Sequence, residues 1–156
     1  MTTTRFGDPD RELLGTFGNP DYADAFRVPA VAGVPAIDWA RACLASGSAT
    51  SQRLFGGLVW GGALGFDLRP ANEPGTLVGW TITTDLPSEL VMDTDGARMA
   101  GRIVFVATDA WVTWTTMIRY HGLAAGPVWS VCGPVHRLLA ERLLGAARRR
   151  FLRRAS

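Results

Sequence analysis

Lysine is missing altogether, and all 16 basic side chains are arginine. With the abundance of alanine and glycine, this reads as the codon bias of a GC-rich genome and carries no functional message. Cysteine is scarce as well. Cys43 and Cys132 stand far apart with no CxxC or Cys/His spacing, so neither a disulfide framework nor a zinc site is indicated, and both read as buried free thiols. No run reaches the roughly 18 to 20 apolar residues that a bilayer span needs, and the opening MTTTRFGDPDRE has neither the apolar core nor the cleavage site of a signal peptide. A cytoplasmic protein is therefore expected. The glycine-rich GGLVWGGALG lacks both GxxxxGKS/T and GxGxxG, which rules out a phosphate-cradling loop. Neither a Ser/His/Asp arrangement nor a paired-carboxylate spacing is visible, so triad hydrolysis and metal catalysis are disfavoured and no cofactor or metal is expected.

What is present suits one globular domain. The chain has 156 residues, of which 47% are hydrophobic and 19% charged, too apolar a balance for intrinsic disorder. Charge is unevenly placed: residues 126–156 hold seven arginines against one acid, residues 1–125 nine against thirteen. The basic end could touch phosphates or an acidic membrane surface, but arginines in the last turns of a helix oppose its negative dipole end, which explains most of RRRFLRR without a partner. No recognition motif accompanies the cluster, and nucleic-acid binding is not expected.

Residues 1–19 are rich in Thr, Asp, Gly and Pro and lack periodicity, so a flexible or loosely packed arm is expected, followed by a single domain over 20–156. Tyr22 to Val28 reads as a strand closed by Pro29. Asp38 begins or caps a short amphipathic helix, Ile37 to Ala45, with Trp39, Ala42 and Cys43 on one side. A second helical piece, from Ser51 to about Trp60, carries glycines that each cost roughly 1 kcal/mol in a helix interior, which points to close backbone approach. From Thr76 the pattern alternates, with strands at Leu77 to Thr83, Glu89 to Asp93, Arg98 to Ala107 and Ala110 to Tyr120 joined by short turns. The final segment, about Val128 to Arg150, has the three-and-four spacing of an amphipathic helix, which Pro134 would kink or start afresh.

Period-two alternation gives the faces. Val78, Trp80 and Ile82, then Met99, Ile103 and Phe105, then Val112, Trp114, Thr116, Ile118 and Tyr120 should share the covered, concave side. The opposite side carries Arg98, Arg102, Trp111, Thr113, Thr115 and Arg119, a mixture that suits solvent or a subunit interface, which leaves a homodimer open.

Strand, two short helices, antiparallel meander and long C-terminal helix resemble the helix-grip architecture of the START-like polyketide cyclase superfamily (SRPBCC). The stretch WTTMIRYHGLAAGPVWSVCGPVHRLLAERLL is similar to the end of a bacterial family within it. That resemblance implies an α+β fold, a curved sheet wrapped around the last helix, that encloses a hydrophobic or polyketide-like small molecule. Such proteins are sometimes cyclising enzymes and sometimes carriers, and the resemblance transfers no catalytic residue.

Candidate wall residues are Trp60, Trp80, Met92, Phe105, Trp114 and Cys132, with Thr116 and the Tyr120 hydroxyl as orienting groups; aromatic walls suit flat or polyene ligands. His136, beside the proline, is a candidate for acid–base work near neutral pH, whereas His121 falls at a strand end where turn or surface is expected. Asp93 would be the strongest acid–base candidate if it pointed inward, and solvated if Leu90 and Met92 pointed inward instead. Three readings follow: a cofactor-independent cyclase, dehydratase or isomerase; a noncatalytic carrier or sensor; and a structural protein with a filled interior.

Overall fold

A computed structural model describes residues 5–7, 11–46 and 60–155. Its sheet is built by β1 (Arg5–Gly7), β2 (Tyr22–Pro29), β3 (Thr76–Leu77), β4 (Trp80–Leu86), β5 (Glu89–Thr94), β6 (Met99–Ala107) and β7 (Trp111–Tyr120). Its helices are α1 (Arg11–Thr16), α2 (Ala36–Leu44) and α3 (Ala125–Ala155). Every pairing is antiparallel and the spatial order is β1-β2-β7-β6-β5-β4-β3. The chain is thus α+β, with a curved sheet and one long C-terminal helix in a helix-grip-like arrangement. The meander β3 to β7 closes back onto β2, so the first and last long strands lie side by side.

Two helix expectations change in detail. The residue flanking α2 is Pro35, not Asp38; Asp38 sits in the first turn, where its carboxylate favours the helix dipole and lies 3.3 Å from Arg41. The inward side of α2 is Ala36, Trp39, Ala40 and Cys43. The second helical piece falls outside the described residues except at its end, where residues 60–63 form one wide helical turn. α3 is longer than expected and continues through Pro134 without restarting.

The strand expected over Leu77 to Thr83 is broken. Val78 and Gly79 form a two-residue turn between β3 and β4, both at positive φ (48° and 90°). A tight antiparallel turn of this hand needs such dihedrals. Gly79 supplies one without strain, and a Cβ there would lie 2.8 Å from the Arg69 carbonyl oxygen. A β-branched residue at positive φ is a genuine outlier, so alternation alone did not register the break at Val78, although its side chain still packs against the core.

On the concave side the side chains form cross-strand rows. Phe26, Trp114, Phe105 and Leu90 occupy one row; Asp24, Thr116, Ile103, Met92 and Ile82 occupy the next. α3 covers them with Trp129, Gly133, Ala140, Leu144 and Ala147, and α2 adds Trp39, which meets Phe151 edge-on at 4.9 Å. Full burial of each large apolar side chain contributes about 1.5–3 kcal/mol, so these rows anchor the sheet to the helix.

The convex side differs from the sequence reading. The N-terminal arm lies across part of it instead of leaving the face free: Phe17 packs against the guanidinium groups of Arg102 and Arg119 at 5.2 and 5.3 Å. Arg119 donates to the Phe17 carbonyl at 3.2 Å, and Arg102 to the Thr16 hydroxyl at 3.1 Å. Val104, Thr115 and Met117, also on this side, are buried. The arm therefore contains regular structure, α1 and the strand β1, that its lack of periodicity did not announce.

Candidate functional site

β2 reads YADAFRVP, and its alternation sends Tyr22, Asp24, Phe26 and Val28 to the concave side and Arg27 to the convex one. Asp24 is thereby carried into the interior, where it is fully buried. Its Oδ2 accepts a hydrogen bond from the Tyr22 hydroxyl, and His136 Nε2 on α3 stands 3.4 Å from that same oxygen. Neither Asp24 Oδ1 nor His136 Nε2 has an aligned hydrogen-bond partner in the protein.

Aromatic rings surround the pair. The His136 ring packs 5.5 Å from Trp129 and 6.2 Å from Trp114, and Tyr22 meets Trp129 edge-on at 5.0 Å. Thr116 lies directly opposite Asp24 in register and accepts from Trp114 Nε1 at 3.1 Å. Trp129 Nε1 is a third buried polar atom without a protein partner. Glycine at 133 leaves space beside that indole, since a Cβ would come within 3.2 Å of Nε1. His136 keeps 20% of its side-chain exposure, so the cluster is sealed on the sheet side and opens at the flank of α3.

Electrostatics fix the phenol's role. Burial, then the hydrogen bond to Asp24, then that carboxyl group's charge push the Tyr22 pKa far above its ordinary value, so the hydroxyl remains a proton donor at any physiological pH. A buried donor or acceptor left unpaired costs about 1–3 kcal/mol, and more when charged, yet three such atoms meet here. Unsatisfied polar groups in an otherwise well-packed interior need a reason, and a ligand that supplies the missing partners is one.

Of the residues singled out from the sequence, His136, Trp114 and Thr116 come together in this cluster. Tyr120 stands on the same face at its rim, partly exposed, its phenol raised by burial and by the Asp21 carboxylate. Asp93 does not face inward. Leu90, Met92 and Thr94 take the inward positions of β5, and Asp93 on the convex side accepts two hydrogen bonds from Arg102, at 2.6 and 2.8 Å. Met92 and Phe105 are fully buried core residues, Phe105 packing 5.1 Å behind Trp114. Cys132 lies partly exposed on α3.

Trp60 and Trp80 gather elsewhere. They meet each other at 5.6 Å, and Trp80 meets Phe66 at 5.4 Å. The Trp80 ring sits over Gly101, where a Cβ would come within 2.8 Å of it. That part of the concave face is closed by side chains, with Trp80 Nε1 and Thr94 Oγ1 also lacking protein partners. His121 is at the surface after β7, its Nε2 2.7 Å from Asp95 Oδ1; this hydrogen bond, then the Gly96 amide, hold Asp95 below its ordinary pKa.

Asp24 is the residue sequence reasoning missed. The signal was present: once Phe26 and Val28 face inward and Arg27 outward, period two forces Asp24 inside. Among the described residues no group of three His, Cys, Asp or Glu is placed to hold a metal ion, and no helix is long and apolar enough to cross a membrane. No family model, curated protein or solved structure matches this chain.

Proposed function

We propose that the protein holds a mainly apolar, polyketide-like small molecule on the concave side of its sheet, with a polar end of the ligand at Tyr22, Asp24 and His136. It acts on that molecule as a cofactor-independent enzyme of the cyclase, dehydratase or isomerase kind. The observation that carries this reading is the buried Asp24 carboxyl group, one oxygen unpartnered, beside the unpartnered His136 nitrogen. A carboxyl and an imidazole at 3.4 Å inside an aromatic enclosure are the two side-chain types suited to moving a proton near neutral pH. Trp129 Nε1 offers a hydrogen bond to a ligand carbonyl, and the surrounding rings restrict the conformations of an apolar chain. The helix-grip-like arrangement supports membership of the START-like superfamily.

Native mass spectrometry of the purified protein, with denaturing extraction, tests the binding. A copurifying apolar molecule is expected, and Asp24→Asn should lose it or stop its turnover. A bound molecule that neither Asp24→Asn nor His136→Ala affects would leave a carrier that uses another part of the face. Absence of any bound species, together with no uptake of an apolar fluorescent probe, would overturn the reading in favour of a filled interior.

A further inference from the structure

α3 buries one face and shows another. At about 100° per residue, Val131, Val135, Leu138, Arg142, Arg149 and Arg153 fall within one narrow arc, opposite the buried Trp129, Gly133, Ala140, Leu144 and Ala147. Along this outer ridge the first turns are apolar and the later ones basic. Val131, Val135 and Leu138 are 76%, 56% and 47% exposed, and Leu123, just before the helix, is 99% exposed. Most large exposed hydrophobics of the described residues are therefore gathered on one element. Arg142, Arg149 and Arg153 form no ion pair among the described residues.

We infer that this ridge docks the protein on an anionic lipid surface, with Leu123, Val131, Val135 and Leu138 entering the headgroup boundary and Arg142, Arg149 and Arg153 pairing with lipid phosphates. Charge complementarity selects this occupant. The segment from residue 126 onward has seven arginines and a single acid, Glu141, so a second copy of the ridge offers the arginines almost no carboxylates to meet. The apolar turns are aliphatic and give nucleobases no ring to stack on, whereas nucleic-acid surfaces of this kind rely on aromatic platforms. A helix lying in the interface plane combines an apolar contact with basic residues at the headgroups, and α3, about 46 Å long for its 31 residues, presents both on one line. The inference is independent of the function proposed for the concave side.

Flotation of the full-length protein with vesicles tests it, comparing equal parts phosphatidylglycerol and phosphatidylcholine with phosphatidylcholine alone. Binding to the anionic vesicles is expected, weakening as salt rises. Arg142→Glu with Arg149→Glu should reduce it by about tenfold or more, and Val135→Asp with Leu138→Asp should abolish it while circular dichroism stays unchanged. Equal recovery with both vesicle types, binding indifferent to both double variants, or a dimer in sedimentation that Val135→Asp dissolves would each overturn the proposal.

Discussion

His136 Nε2 and Asp24 Oδ2 lie 3.4 Å apart, joining α3 to β2 across the covered side of the sheet. Because the second carboxylate oxygen and the imidazole nitrogen both lack an aligned partner, this pair is arranged for something other than holding the fold together. A buried ion pair kept for stability typically costs about 3–5 kcal/mol when one partner is removed. We expect Asp24→Asn, which keeps shape and an acceptor for Tyr22, to change stability by less than about 1 kcal/mol while abolishing ligand capture or turnover. Urea unfolding beside the binding assay checks it, and a loss of several kcal/mol would mark Asp24 as structural.

Alkaline pH gives a second handle. The Tyr22 phenol and the Cys43 thiol are both raised in the folded protein, in each case chiefly by burial, from ordinary values of 10.0 and 9.0. A group whose folded pKa is raised contributes stability that is complete below its unfolded value and is lost as pH climbs past it. Stability should therefore hold steady up to about pH 9 and then decline, first from the cysteine and then from the tyrosine. Unfolding midpoints across that window should fall less steeply in Cys43→Ala at the lower end and in Tyr22→Phe at the upper. For the same reason Cys43 should resist thiol reagents until the protein unfolds.

The two central residues of the β3–β4 turn should respond unequally. Val78→Gly relieves a left-handed dihedral worth about 1–2 kcal/mol and loses chain stiffness and some packing of similar size, so its net effect should stay within about 1 kcal/mol. Gly79→Ala meets both a positive φ and a backbone oxygen 2.8 Å from the new Cβ, and should cost about 2 kcal/mol or more. Equal losses from both would mean that the turn relaxes freely.

Phe17 should act as the fastener of the N-terminal arm. Phe17→Ala removes the ring that both Arg102 and Arg119 stack on, at about 0.5–1 kcal/mol for each contact. Limited proteolysis should then cut the arm sooner while the unfolding midpoint of the remaining domain changes little.

The frame of the fold was legible because its period was. Alternation from Glu89 to Tyr120 found three strands' worth of sheet, and Tyr22 to Val28 announced itself by ending at proline; three-and-four spacing after Val128 found the covering helix but not its buried face, since Val131, Val135 and Leu138 stand exposed while Trp129, Gly133, Ala140, Leu144 and Ala147 are buried. The turn at Val78 and Gly79 was read as continuous strand because alternation cannot register a valine held at positive φ. Phe17 was missed because a short arm has no repeat to read, and its partners are arginines far along the chain. The site was half visible. His136, Trp114 and Thr116 were found by chemical type and face, whereas Asp24 required knowing which side of β2 the helix covers. Asp93 drew attention by its chemistry and lost the place to alternation, since Leu90 and Met92 are more costly to leave in water.

The pairing of β2 with β7 also governs how the molecule comes into being. Apart from the three-residue β1, β2 has no neighbour other than the last strand, so a chain emerging from the ribosome carries one long edge and a carboxyl group waiting for segments not yet made. Both halves of the Asp24–His136 pair meet only after α3 has been synthesised. Such long-range closure slows folding, and the interval before it is when a nascent chain is most open to wrong strand partners or to a chaperone's grip.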